Sequence, residues 1–132
     1  MSLIKKILGI CRTSPPSDSS SWTFSNNIIE IDLERVPELS NTNGAIRIEG
    51  KGLPLKVLVF HGKDNTFHAI MNRCSHMGRR IDPVPDTDEI QCCSVMGSTY
   101  SYSGKVLSGP ADNDLLVFPI SQENNKLLIQ IA

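Results

Sequence analysis

The chain has 132 residues, enough for one domain with a real core of its own. Its 13 basic and 14 acidic side chains leave a net charge of −1, which argues against a nucleic-acid partner. No apolar run approaches the roughly 20 residues of a transmembrane span. The four cysteines, Cys11, Cys74, Cys92 and Cys93, lack the pattern of a disulfide framework. Clustered, unpaired cysteine suits metal or redox use in a reducing compartment, so a cytoplasmic location is expected.

Met1 to Leu8 is apolar with two lysines and reads as a loosely packed leader, or as a short amphipathic helix touching a membrane or partner. Cys11 shares that leader and is a candidate for lipidation. Arg12 to Ser21 is rich in Ser and Pro and is expected to be a linker. Residues 1–21 are thus leader and linker, and residues 22–132 form the domain.

From Trp22 onward, short strands alternate with turns. Ile29, Ile31 and Leu33 alternate with acidic residues at the period of a half-buried strand. Asn43-Gly44 signals a tight turn before Ile46 and Ile48. Leu55, Val57 and Val59 begin another strand, which turns at Gly62 to Asn65 into Phe67 to Met71. Thr99 to Tyr102 and Leu115 to Ile120 follow, and a last hairpin turns at Glu123 to Asn125 into Leu127, Ile129 and Ile131. This spacing, without a convincing long helix, predicts an all-β antiparallel sandwich or barrel. Trp22, Phe60, Phe67 and Phe118 are expected to pack in it.

His61 and His68 flank one turn. They are read as two solvent-facing side chains, with a metal-binding pair as the alternative. Arg79-Arg80 is read as a solvated loop pair, or as a guide for an acidic redox partner.

The chemistry concentrates between residues 72 and 111. Asn72-Arg73-Cys74-Ser75-His76-Met77-Gly78 is followed by Cys93-Ser94-Val95-Met96-Gly97-Ser98-Thr99-Tyr100, then by Gly104 and Gly109-Pro110-Ala111. In this order the segments resemble a Rieske [2Fe-2S] domain, and specifically the small soluble Rieske-type ferredoxins. The resemblance covers about residues 28 to 131, with a cluster-binding subdomain at about 72–111. It implies that Cys74 and Cys93 hold one iron and His76 the other. Met96 stands where a second histidine belongs, a neutral thioether in place of an imidazole. Ser98 and Tyr100 match hydroxyls that hydrogen-bond a bridging sulfide and a cysteine sulfur, with a turn serine and a packing tyrosine as the alternative reading. Gly109-Pro110 matches a proline loop that covers the cluster. No cysteine comes directly after Gly78, and Ser94-Val95 separates Cys93 from Met96, so the resemblance points to the ferredoxin type without the disulfide clamp of the respiratory-complex members. Cys92 is expected to face the core, because neighbours on a strand point to opposite faces.

The resemblance implies a one-electron carrier between a reductase and an electron acceptor, a component of an oxidoreductase system with no substrate chemistry of its own. The alternative is a Rieske-fold subunit or interaction module with a lost or atypical cluster, like the ligand-poor small subunits of some nitrite reductases. A third possibility is zinc on Cys74, His76 and Cys93. An oxygenase is set aside, since only His61 and His68 remain for a mononuclear iron.

Overall fold

The fold is that of a computed structural model, which describes residues 11–74, 78–93, 97–111 and 113–131. His76, Met96 and the leader at residues 1–8 lie outside the described residues.

The described residues form three antiparallel sheets. Strands β1 (Trp22–Ser25) and β2 (Ile28–Asp32) form a hairpin. Its turn residues Asn26 and Asn27 both have positive φ, at 52° and 61°, the twist that suits a two-residue hairpin. The other end of the chain adds β10 (Ile120–Glu123) and β11 (Lys126–Gln130), with β11 paired to β2. Two short 3-10 turns, Leu33–Arg35 and Pro37–Leu39, carry the chain to the second sheet. That sheet is β3 (Ala45–Ile48), β4 (Val57–His61) and β5 (Phe67–Met71). The third is a meander of β6 (Ile81–Pro83), β7 (Glu89–Cys92), β8 (Thr99–Ser101) and β9 (Val106–Ser108).

The second sheet is the middle layer, and β4 shows why its sequence lacks alternation. All five of its residues are buried. Val57 and Val59 join Trp22, Ile29, Ile31, Leu127 and Ile129 in one core. Leu58 and Phe60 face the other way, into a second core with Ile81, Ile90, Cys92 and Tyr100. A strand covered on both faces reads as an unbroken apolar run. The second core therefore ties the third sheet and Cys74 to the middle sheet.

Two expectations are corrected here. The stretch from Leu115 to Ile120 is not one strand. Val117 makes an isolated bridge to Ile70, and Met71 N–H donates to the Leu116 carbonyl. Pro119 has no N–H to contribute, and regular pairing resumes at Ile120. The Ser/Pro-rich stretch is strapped to the body instead of hanging as a linker. Pro16 and Ser21 are buried, Arg47 N–H donates to the Ser14 carbonyl, and Arg35 pairs with Asp18 at 2.9 Å.

Candidate metal centre

Two loops bring cysteines to a shared segment. The first leaves β5 through Asn72, which is 1% exposed and accepts from Ile81 N–H through Oδ1 at 2.8 Å. Gly78 N–H closes this loop onto the Cys74 carbonyl at 2.9 Å. Gly78 has φ +69°, a conformation that glycine adopts without a Cβ penalty. The second loop leaves β7 and is closed by Cys92 N–H donating to the Ser98 carbonyl at 2.8 Å. Cys74 N–H donates to the Arg79 carbonyl and Cys93 N–H to the Arg80 carbonyl, at 2.6 and 3.0 Å. The two cysteines thus hang from adjacent carbonyls of one strand-like segment.

A third segment closes on these loops. Ala111 N–H donates to Ser98 Oγ at 3.1 Å, and Ser98 is 1% exposed. Gly109 has φ +91° and packs so tightly that a Cβ there would lie 2.5 Å from Ser98 Cα. Gly109, Pro110 and Ala111 are thereby seated on the second loop.

The sulfur chemistry is divided. Cys74 is a buried thiol whose Sγ lies 3.2 Å from the Tyr100 hydroxyl, itself fully buried. Cys92, the last residue of β7, is buried as a thiol in the second core, as its strand position predicts. Cys93 is in a disulfide with Cys11, with Cα atoms 5.4 Å apart. This corrects the expectation of unpaired cysteines, and it ties Cys11, read as a leader residue and lipidation candidate, to the second loop. The cause is Asp82, 5% exposed on β6, whose carboxylate accepts from Arg12 N–H at 2.7 Å and Thr13 N–H at 3.1 Å. A buried carboxylate with two backbone donors is a strong anchor, and it holds the residues next to Cys11 against the second loop. Sequence reasoning missed Cys11 and Asp82, and no local pattern marks either.

The histidines are not a metal pair. In the β4–β5 register Phe60 opposes His68 and His61 opposes Phe67, so the two imidazoles lie on opposite faces. Neither is fully solvent-facing. His61 is 9% exposed, with its ring nitrogens against the Leu39 carbonyl and Asn65 Oδ1. His68 stacks on Phe60 and pairs with Asp64 at 2.9 Å. Arg80 is also corrected. It is half-buried and makes a two-pronged ion pair with Glu49, at 2.7 and 2.9 Å. Its hydrogen bonds hold the Glu49 carboxyl below the usual range against the opposing effect of burial.

Residues 31–119 match the family model of the Rieske [2Fe-2S] domain. The iron–sulfur subunit 1 of the cytochrome b6-f complex from Nostoc sp. is 27% identical over 101 residues, 76% of this chain. The chain spans 56% of the length of that relative. Among solved structures, the plasma membrane Rieske protein PetC3 from Synechocystis has a TM-score of 0.56 at 24% identity, covering 66% of this chain and 86% of its own. The ferredoxin of carbazole 1,9a-dioxygenase from Nocardioides aromaticivorans has a TM-score of 0.61 at 17% identity, covering 76% of this chain and 93% of its own. At these identities the two structures speak for the fold, and no described helix is long and apolar enough to cross a membrane. The family match and these neighbours imply a [2Fe-2S] cluster as cofactor. The cysteine–histidine box, the second cysteine loop and the second and third sheets all lie within the matched segment, and the chain belongs to the Rieske [2Fe-2S] domain family.

Proposed function

We propose that the chain is a one-electron carrier whose cluster is held by Cys74, His76 and Cys93, with Met96 at the fourth ligand position. The observation that carries this reading is the Tyr100 hydroxyl on the Cys74 sulfur, beside a second cysteine hung from the next carbonyl. The donor set fits an iron–sulfur cluster in one redox state of the chain. Cys74 is a thiol already, and Cys93 becomes a thiolate donor once its bond to Cys11 is reduced. The bound cluster supplies a change of one electron between two states.

The chain's own residues position and tune. Tyr100 offers a hydroxyl to a ligand sulfur, which stabilises the more negative, reduced form and raises the potential. Ser98 holds Ala111 and, with Gly109 and Pro110, closes one side of the site. Burial of Cys74 and Tyr100 keeps water from that sulfur.

We assign a reductase and an electron-acceptor protein as partners. One relative is a subunit of the cytochrome b6-f complex, and one structural neighbour is a ferredoxin seen with its oxygenase. A cytoplasmic, reducing location suits a site that needs Cys93 as a thiol. A second reading is a cluster-poor interaction module, favoured by the disulfide that occupies Cys93 and by Met96. Iron and acid-labile sulfide per chain, measured after anaerobic reduction and loading, separate the two. The carrier reading expects a [2Fe-2S] spectrum that bleaches on one-electron reduction. A reduced chain that takes up neither iron nor sulfide would sink it.

A further inference from the structure

Three observations converge on Cys11. First, the family's ligand set is incomplete by one imidazole, because Met96 occupies that position. Second, Cys11 Sγ is already bonded to the sulfur of Cys93, across 82 residues of sequence. Third, this placement is built. Asp82, buried on β6, takes the backbone N–H groups of Arg12 and Thr13, and the Arg12 guanidinium donates to the Pro83 carbonyl at 3.3 Å. The Cys11 and Cys93 sulfurs and the Asp82 carboxylate all lie within 4.8 Å of one another.

We propose that Cys11 is a further ligand of the metal centre: once reduced, its thiolate stands beside Cys93 and gives the centre a donor in addition to Cys74, His76 and Cys93. This rests on the cluster-binding reading above and revises its fourth ligand. The chemistry favours the exchange. Iron–sulfur clusters are held chiefly by thiolates, and a charged thiolate is a stronger donor to iron than a neutral thioether. The resulting set is Cys11, Cys74, Cys93 and His76. Asp82 is a positioning residue, because its two carboxylate oxygens are each engaged by a backbone N–H.

The disulfide is then the oxidised form of the empty site. A dithiol reductant transfers two electrons and two protons to it. The S–S bond breaks, Cys11 and Cys93 become thiols, and the reductant leaves as its own disulfide. Both thiols release their protons on binding iron.

The test uses the full chain, reduced with dithiothreitol under anaerobic conditions and loaded with ferrous iron and sulfide. Iodoacetamide labelling of the unmodified protein is read by peptide mass spectrometry, so it does not depend on how a variant folds. Cys11 should be protected in the loaded protein and become labelled when a chelator strips the iron. In parallel, Cys11→Ser should lower iron retention by about tenfold or more, at least the loss seen when a supporting residue of a metal site is removed. It should also change the electron paramagnetic resonance spectrum of any remaining reduced cluster, while Cys92→Ala, in the second core, leaves both unchanged. Full labelling of Cys11 in a loaded chain, or a Cys11→Ser variant with full iron and an unaltered spectrum, would overturn the assignment and leave the cluster reading standing. An unmodified chain that binds neither iron nor sulfide would overturn both.

Discussion

The Tyr100 hydroxyl lies 3.2 Å from the Cys74 sulfur, and both groups are sealed from solvent. The two residues come from different sheet layers. β8 carries Tyr100, and Cys74 follows β5. A hydroxyl donor at a ligand sulfur stabilises added negative charge, and burial strengthens that effect. Tyr100→Phe should therefore lower the reduction potential of the loaded protein. The expected fall is on the order of 60 mV, the one-electron equivalent of a hydrogen bond worth about 1.4 kcal/mol. Potentiometry on both proteins measures it, and an unchanged potential would remove Tyr100 from the site.

Cys92 packs with Leu58, Ile81, Ile90 and Tyr100 in the second core and is not part of the disulfide. Cys92→Ala should leave the spectrum of the loaded protein unchanged. Its cost is that of a small cavity, about 1 kcal/mol of unfolding free energy by urea denaturation. Loss of colour with normal stability would make Cys92 a ligand instead.

Gly109→Ala tests how the third segment is seated. The residue has φ +91°, and its new Cβ would collide with Ser98 Cα. The variant should lose about 1–3 kcal/mol of stability. It should also weaken the Ala111–Ser98 hydrogen bond, visible as faster amide exchange at Ala111.

Glu49 and Arg80 join the end of β3 to the segment that carries both cysteine loops. The Glu49 carboxyl is held below its ordinary value of 4.5 by the Arg80 hydrogen bonds, with burial acting in the opposite direction. A depressed folded-state value contributes stability that is present above the unfolded value and lost as pH falls through the folded one. The pair is therefore fully engaged at neutral pH and fails on acidification below 4.5. Glu49→Gln should cost about 1 kcal/mol at pH 7 and flatten the acid limb of stability against pH. Urea melts at pH 7 and in the acid range give both numbers.

Much of this protein was legible in its sequence. The turns at Asn43-Gly44 and Gly62 to Asn65 and the alternation of Ile29 with Ile31 depend on local backbone chemistry, so they mark strands without help from the rest of the chain. The Cys74 and Cys93 boxes carry their order and spacing in the chain itself, which is why the family could be read from them. Cys92 was placed correctly because alternation along a strand is also local.

Other features exist only because distant segments meet. Val57 to Phe60 reads as apolar, but that its two faces serve two different cores follows from sheets packing on both sides. His61 and His68 look like a pair until the register turns them to opposite faces. Arg80 looks like a solvated charge until Glu49, 31 residues earlier, is folded against it. Cys11 is the extreme case. Nothing near it in sequence points to Cys93, and the contact is made by a buried carboxylate on β6 that binds backbone N–H groups, whatever side chains they carry. Recognition through the backbone leaves no trace in residue type, so only the tertiary structure could bring this third sulfur to the metal centre.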